Sequence, residues 1–338
     1  MRALITGISG FVGSHLAEYL LEHTDWQVAG TVYGRIDNIE HLRNHLLLFP
    51  AELSRLEVVR FIIDETAPDV VFHLAAQPIP ALSQRDPWFT LENNIRSQLN
   101  ILETLARTRL ACRVLIVGSS EEYGLITPED LPVDENTVLR PANPYAVSKI
   151  AQDYLGLQYY LSEKVEAIRV RPFNHIGPRQ REGFVAPDFA RQVAQIEAGQ
   201  RPPRVDVGPL DVERDFSDVR DIVAGYYLAL TKGRPGEVYN LGAECSHSIR
   251  EMLDILIAHS GLAVEVVADP ARQRPVSVPR IVSDCTKIRK ETGWHTKIPF
   301  EQSLADVLGY WREQVRSGAT DPTPLEMRIT NSGKNSHA

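Results

Sequence analysis

The chain has few cysteines and no excess of basic residues, and both features exclude classes of protein. Its 338 residues include three cysteines, namely Cys112, Cys245 and Cys285. Because they are odd in number and far apart, they fit neither a disulfide framework nor a metal-ligand motif. We therefore expect reduced thiols and no metal. Lys and Arg total 36 against 44 for Asp and Glu, a net charge of −8, so the basic surface of a nucleic-acid binder is lacking.

Long hydrophobic runs are also lacking. No apolar stretch reaches the roughly 18 residues that a membrane span requires. Met1 and Arg2 precede a short strand and a glycine turn rather than a signal peptide, so we expect a cytoplasmic protein with no membrane partner. The 43% hydrophobic and 24% charged content is that of an ordinary globular protein, and the length suits about two domains.

Short apolar runs alternate with helical patterns along the first half of the chain. Strands are predicted at 3–5, 28–32, 70–74, 113–117 and 167–170, and helices include 14–22, 55–64, 91–107 and 145–161. This alternation predicts an α/β fold, a Rossmann-type doubly wound parallel sheet with helices on both faces.

A glycine turn joins the first predicted strand to the first predicted helix. Its three glycines follow a G-x-x-G-x-x-G spacing. Glycine allows a tight turn and a close approach of the backbone to a pyrophosphate, which the helix N-terminus then faces. This turn predicts a dinucleotide site formed by Gly7, Gly10, Phe11, Val12 and Gly13.

The end of the second predicted strand indicates which dinucleotide binds. An acid at this position binds the ribose 2′-hydroxyl of NAD, whereas a basic residue accommodates the 2′-phosphate of NADP. Here no acid precedes Asp37, and Arg35 lies in the loop. The sequence therefore favours NADP(H), with NAD(H) as the alternative. An arginine that is only solvated in this loop is the other interpretation.

A tyrosine and a lysine lie four residues apart at the start of a predicted helix. Asn143 is a good N-cap and is followed by a proline, so Tyr145 and Lys149 share one helix face. An ammonium group near a phenol lowers the phenol pKa, which suits proton exchange with an alcohol or carbonyl. Ser119 follows a predicted strand, where its hydroxyl can bond to the same substrate oxygen.

With these motifs in order, the sequence resembles the extended short-chain dehydrogenase/reductases. That superfamily contains NAD(P)-dependent nucleotide-sugar epimerases, dehydratases and reductases. The resemblance covers about residues 1–315 and rests on segments 6–13, 73–77, 119–124, 145–149, 171–178, 214–221, 239–242 and 293–294. It implies that Ser119, Tyr145 and Lys149 are catalytic, with Glu121 as a further catalytic candidate. It also implies that Tyr145 and Lys149 hold the cofactor and that the cofactor cleft includes Leu74, Ala75, Ala76 and Asn94.

The resemblance also implies a substrate site for a nucleotide diphosphate sugar. Arginine suits it because a guanidinium binds phosphate oxygens in a bidentate manner. The implied substrate residues are Gln77, Ser120, Glu121, Asn174, Phe184, Val185, Arg214 and Arg274. Glu52 stands where the superfamily often has an aspartate that contacts adenine, so the adenine contacts stay unassigned.

Within the superfamily, segments 118–124 and 173–178 are most similar to the GDP-4-keto-6-deoxy-D-mannose reductases. This implies NADPH-dependent reduction of the 4-keto group of a GDP-linked deoxyhexose to give GDP-D-rhamnose. GDP-mannose 4,6-dehydratase is the first alternative, since Glu121 could serve as an acid or base, but Ser119 replaces the threonine typical of dehydratases. Another nucleotide-sugar epimerase or reductase, and a non-catalytic NADP-binding sensor, are the remaining alternatives.

The resemblance further implies a division into domains and a homodimer. We assign residues 1–172 to the NAD(P)-binding Rossmann domain and expect 210–243 to return to it. Segments 173–209 and 244–316 form a smaller, mixed α/β substrate lobe, and 317–338 form a polar tail. The helices predicted at 91–107 and 145–161 are expected to pair across a dimer as a four-helix bundle.

Overall fold

The computed structural model describes residues 1–272 and 278–318, and β-strands occur along most of that length. In chain order the strands are β1 (Arg2–Thr6), β2 (Gln27–Val32), β3 (Leu46–Pro50), β4 (Val70–His73), β5 (Arg113–Val117), β6 (Glu166–Pro172), β7 (Asn174–Ile176), β8 (Arg204–Val207), β9 (Glu213–Arg214), β10 (Phe216–Asp218), β11 (Val238–Leu241), β12 (His247–Ser248) and β13 (Glu265–Ala268). Seven of them form the central sheet, in the order β11-β6-β5-β4-β1-β2-β3. Every pairing within this sheet is parallel.

Helices cover both faces of the central sheet, as the sequence predicts for a doubly wound fold. The α-helices are α1 (Phe11–His23), α2 (Leu56–Thr66), α3 (Pro80–Arg85), α4 (Pro87–Thr108), α5 (Pro144–Glu163), α6 (Val185–Glu197), α7 (Val219–Lys232), α8 (Ile249–Ser260), α9 (Thr286–Thr292) and α10 (Phe300–Ser317). Helices α1 and α7 contribute to the apolar core on one face, and α2 and α4 to the core on the other. The predicted fold class is therefore confirmed.

The order of the strands positions a ligand cleft. The chain runs outward from β1 through β2 to β3 and then crosses back to β4 on the other side of β1. In such sheets ligands bind outside the carboxyl ends of the strands at this point of reversal. The loops that follow β1, β4 and β5 carry the glycine turn, Ala75 and Ser119.

The five predicted strands are present, but the central sheet contains two further strands that the sequence pattern does not predict. Strand β3 is a run of three leucines, a phenylalanine and a proline that pairs with β2. Its side chains do not alternate between buried and exposed, so no period-2 pattern revealed it. Strand β11 pairs with β6 after a gap of more than 60 residues in the sequence, a long-range pairing that local pattern does not show.

A second apolar core lies under the C-terminal lobe. Helices α6, α8 and α10 pack around it with Val205 and Val207 of β8, and β8 pairs with β13 in a small parallel sheet. Meanwhile β11 joins the central sheet and α7 packs on α1. The exact division into domains stays a prediction. Arg274, and the predicted tail after residue 318, lie outside the described residues.

The described residues also bear on membrane and metal binding. None of the helices there combines the length and the apolar character that a bilayer crossing requires. Within the same residues, no group of three or more His, Cys, Asp or Glu side chains is arranged to hold a metal ion. The three cysteines are free thiols, of which Cys112 and Cys285 are buried.

Candidate active site

The glycine turn has a backbone that only glycine fits well. Gly7 has a φ of +69°, and a Cβ on Gly13 would lie 2.3 Å from the Gly7 carbonyl oxygen. Helix α1 begins at Phe11, inside this segment. Gly10 at its N-cap provides no side-chain cap, and no acid lies in the first helical turn. Uncapped amide groups at a helix N-terminus attract anions. The turn therefore fits the diphosphate of a dinucleotide.

The loop after β4 lies directly beside this turn. A Cβ on Gly7 would be 3.1 Å from Cα of Ala75, and the Thr6 hydroxyl accepts the N–H groups of Leu74 and Ala75, each at 3.1 Å. Leu74, Ala75 and Ala76 are only partly buried. These contacts place the predicted cleft-lining residues against the predicted diphosphate site.

Arg35 lies in the loop after β2 and is exposed. It forms an ion pair with Asp37. The loop is tied to the glycine turn because the Asn38 side chain donates to the Ser9 carbonyl at 3.1 Å, and Arg179 donates to the Asn38 carbonyl at 3.2 Å. A guanidinium at this place fits a ribose phosphate, and Asp37 competes for the same charge.

Two predicted ligands, Asn94 and Gln77, make hydrogen bonds within the protein. The buried Asn94 amide accepts the Gln77 N–H at 2.7 Å and donates to Ser148 of α5 at 3.0 Å. The Gln77 side chain donates to the Ile79 carbonyl and to Thr90. Both residues hold the loop after β4 in place, and their contacts with a cofactor or substrate stay predictions.

Tyr145 lies at the buried start of α5. Asn143 caps this helix by accepting the Ala146 N–H at 2.8 Å, and the Tyr145 N–H donates to Ser83 at 3.1 Å. The Ser119 side chain lies near the phenol and lowers the pKa of Tyr145, while its predicted contact with a substrate oxygen stays a prediction. Burial raises the pKa of Tyr145, the Ser119 contact lowers it, and the charges of Glu121 and Glu122 raise it, so the net direction is upward.

Lys149 lies one helical turn further along α5 and is also buried. Its ammonium donates to the Val117 carbonyl at 2.8 Å and lies 5.9 Å from the centre of the Tyr145 ring. Burial lowers the pKa of Lys149 to about 8, although Glu122 opposes this. The expectation that Lys149 brings the Tyr145 pKa below its ordinary value is wrong for this structure, because burial raises that pKa by more than the Ser119 contact lowers it.

Glu121 and Arg214 form the polar part of the site beyond the phenol. The exposed Glu121 carboxylate accepts a hydrogen bond from Asn143 at 3.0 Å. Burial lowers the pKa of Arg214, and the nearby Glu121 charge opposes that shift. The Glu121 charge also raises the pKa of Tyr145, so Glu121 lies near both the phenol and Arg214.

The remaining predicted substrate residues are more widely distributed. Ser120 is buried in the short turn after Ser119. Asn174 is exposed in β7, and Phe184 and Val185 are half-buried at the start of α6. Arg274 lies outside the described residues, so its place in the site stays a prediction.

Sequence reasoning missed two residues that shape the site. Glu122 is fully buried and accepts the Ser119 N–H at 2.8 Å. The Ser-x-x-Glu pattern from Ser119 to Glu122 is a capping-box signature and could have revealed it. His175 stacks on Phe11 of the glycine turn, with ring centres 6.0 Å apart, a contact for which the sequence carries no local signal.

Three features define an extended short-chain dehydrogenase/reductase. They are the parallel sheet, the glycine turn beside its point of reversal, and the catalytic set of Ser119 after β5 with Tyr145 and Lys149 on α5. The family profile described as GDP-mannose 4,6 dehydratase matches residues 4–307. The chain therefore belongs to the GDP-mannose 4,6-dehydratase family of that superfamily.

Known relatives agree with this assignment over almost the full chain. The chain is 37% identical to GDP-6-deoxy-D-mannose reductase of Pseudomonas aeruginosa, covering 93% of this chain and 98% of the relative. It is 31% identical to GDP-mannose 4,6 dehydratase 1 of Arabidopsis thaliana, covering 89% and 86%. The solved structure of RMD from Pseudomonas aeruginosa complexed with NADPH matches with a TM-score of 0.82 at 34% identity, covering 93% and 99%.

Proposed function

We propose that this protein is an NADPH-dependent reductase that converts the 4-keto group of GDP-4-keto-6-deoxy-D-mannose to the alcohol of GDP-D-rhamnose. The observation that carries the proposal is the buried Tyr145 phenol at the start of α5, beside Ser119, where burial raises the pKa of the phenol. Reduction of a ketone needs a proton donor at the forming alkoxide, and a neutral phenol is one. The relative named a GDP-6-deoxy-D-mannose reductase supports the choice of substrate.

The residues present fit NADPH as the cofactor. The turn at Gly7, Gly10 and Gly13 and the N-terminus of α1 would hold the diphosphate, Arg35 would hold the 2′-phosphate, and the loop 74–76 would line the cleft. Bound NADPH supplies a hydride to C4 of the sugar. The named structural relative is complexed with NADPH, which supports this choice over NADH.

The side chains of the site donate the proton to the keto oxygen and stabilise the negative charge that develops. Ser119 orients the keto oxygen, and Tyr145 gives its phenolic proton to that oxygen as negative charge develops there. The Lys149 ammonium stabilises the phenolate left behind and lies in position to hold a ribose hydroxyl. Arg214, with Arg274, would bind the substrate diphosphate through charge-assisted hydrogen bonds, and Asn174 would assist them.

GDP-mannose 4,6-dehydration is the second candidate, and Glu121 is the observation that favours it. This carboxylate is exposed and lies near Tyr145 and Arg214, where it could act as an acid or base on the sugar. The Asn143 side chain donates a hydrogen bond to this carboxylate at 3.0 Å, and Arg214 is the nearby cation. We therefore assign Glu121 to substrate binding in the reductase.

An absorbance assay with GDP-mannose separates the two candidates. With a known GDP-mannose dehydratase added, the protein is expected to consume NADPH, and without it no consumption is expected. Formation of a 4-keto sugar from GDP-mannose by this protein alone, with no net loss of NADPH, would assign the dehydratase function instead.

We also propose a homodimer formed through α4 and α5, and a cytoplasmic location where NADPH and free thiols occur together. Helices α4 and α5 pack against each other, and α5 carries an exposed apolar stripe of Val147, Tyr154 and Leu161. Their spacing of seven residues places them on one helix face. Trp88 at the start of α4 is 70% exposed. A second copy of the same helix pair would bury this surface as a four-helix bundle.

Tyr154→Glu is expected to convert the dimer to a monomer, because it places a charge at the centre of the apolar stripe. Light scattering after size-exclusion chromatography measures the mass directly. Leu262→Glu is the matched control, since Leu262 is also an exposed apolar residue but lies after α8 in the lobe. Equal masses for wild type and both variants would exclude this interface.

A further inference from the structure

A pair of buried carboxyl groups lies directly behind the catalytic serine. Glu122 is 0% exposed and belongs to the turn that follows Ser119, while Asp153 is 1% exposed and lies on α5. Two buried acids in contact are costly unless cations or a proton compensate them. Neither residue has a part in the proton transfer described above, so that reaction does not explain why two acids are buried here.

Glu122 holds the backbone of the catalytic serine. Its Oε1 accepts the Ser119 N–H at 2.8 Å, and the Ser119 hydroxyl in turn accepts the Glu121 N–H at 3.2 Å, which together form a capping box. A Cβ on Gly118 would lie 2.2 Å from Glu122 Oε1. The Glu122 side chain is therefore packed tightly against the segment that orients Ser119 toward Tyr145.

The two nearby arginines, Arg169 and Arg171, form their ion pairs and hydrogen bonds with Asp153. Arg169 forms an ion pair with Asp153, and Arg171 Nε lies 2.7 Å from Asp153 Oδ2. Arg171 Nε is also 3.0 Å from Glu122 Oε2, but its single N–H group donates to Asp153. Among the described residues, Glu122 Oε2 is buried with no hydrogen-bond donor of suitable geometry. Because the same Arg171 nitrogen lies 3.0 Å from Glu122 Oε2 and 2.7 Å from Asp153 Oδ2, these two oxygens are neighbours. A proton on Glu122 Oε2 removes the deficit, because the acid can then donate to Asp153.

We propose that Glu122 is a positioning residue that holds the Ser119 backbone as a neutral carboxylic acid, with its Oε2 proton donated to the Asp153 carboxylate. Its connection to catalysis rests on the reductase function proposed above. Its protonation state does not, because that follows only from the buried contacts.

Charged and titratable groups face Glu122 from every side. Asp153, Lys149 and Tyr145 lie on α5, Arg171 lies on β6, and Tyr123 is the next residue in the chain. Burial and the Asp153 charge raise the pKa of Glu122, while Arg171 and the Ser119 N–H lower it, and the net direction is strongly upward. This agrees with the neutral form that the orphaned Oε2 requires.

Glu122→Gln tests the protonation state through stability. Glutamine keeps an oxygen for the Ser119 N–H and an N–H for Asp153, so it imitates the protonated acid without a titratable proton. A folded pKa above the unfolded value of about 4.3 means that wild type loses stability as pH rises toward the folded pKa. The melting temperature of Glu122→Gln relative to wild type is therefore expected to increase between about pH 5 and pH 8.

Other outcomes of this comparison overturn the proposal. A difference in melting temperature that is constant with pH, one that decreases as pH rises, or a Glu122→Gln protein that fails to fold would each contradict the neutral carboxylic acid proposed for Glu122. Glu22→Gln is the matched control, because Glu22 is an exposed glutamate on α1, and its difference from wild type should be constant over the same range.

Kinetics test the positioning role. Glu122→Leu removes the acceptor of the Ser119 N–H and is expected to lower kcat at least about tenfold while the KM for NADPH stays within about twofold. Glu122→Gln should recover the lost kcat. Wild-type kcat in Glu122→Leu would overturn the positioning role. If wild type itself lacked reductase activity, the proposed function would fail, while the melting comparison would still decide the protonation state.

Discussion

Tyr145→Phe is expected to lower kcat for the keto-sugar reduction by roughly 10³-fold while the dissociation constant of NADPH stays within about twofold. The variant removes only the phenolic oxygen, which in this structure lies near Ser119, whereas the cofactor's diphosphate is assigned to the glycine turn. A general acid typically contributes about 10²- to 10⁴-fold to a rate. Steady-state kinetics and fluorescence titration with NADPH measure the two quantities separately.

The matched control for this prediction is Tyr154→Phe. It removes the same hydroxyl group from the same helix, but Tyr154 is 53% exposed, so its kcat should equal that of wild type. Turnover by Tyr145→Phe at more than about a tenth of the wild-type rate would remove Tyr145 from the role of proton donor.

Gly13→Ala is expected to weaken NADPH binding by roughly 100-fold, about 2.7 kcal/mol. The added Cβ would lie 2.3 Å from the Gly7 carbonyl oxygen and 2.8 Å from the Ile8 Cα. Both are backbone atoms, so relief of the clash must move the turn that faces the diphosphate. Alanine has a better helix propensity than glycine, so a loss cannot come from the helix itself.

Gly309→Ala provides the comparison for this variant. Gly309 lies within α10, and a Cβ there meets no atom within 4 Å. The substitution should leave NADPH affinity unchanged and stabilise the protein slightly. NADPH affinity of wild-type strength in Gly13→Ala would contradict the assignment of the glycine turn to the diphosphate.

The parts of the fold that local pattern specifies were predictable from the sequence. The strands β1, β2, β4, β5 and β6 are short apolar runs between helical segments, which is typical of a parallel sheet. Strand β11 and the packing of α7 on α1 depend on contacts far apart in the chain. Strand β3 shows no regular alternation of buried and exposed side chains. Local periodicity therefore predicts neither strand.

The candidate site divides in a similar way. Tyr145, Lys149 and Ser119 could be predicted because each lies in a motif at a helix start or a strand end, and the structure places them together. The direction of the Tyr145 pKa was not predictable, since burial is a property of the packed fold. In the sequence, Glu122 follows Glu121 in a polar segment, and nothing local indicates that the two acids differ in burial. Only the fold shows that one acid is exposed and the other is buried against Asp153.

The central claim is that this protein reduces C4 of a GDP-linked keto sugar with a hydride taken from free NADPH. The most direct measurement is mass spectrometry of the sugar formed from the 4-keto substrate with NADPH deuterated at both C4 positions. The reductase function predicts one deuterium per product molecule, located at C4 of the hexose. An unlabelled product, or label that never leaves the NADPH, would contradict the account.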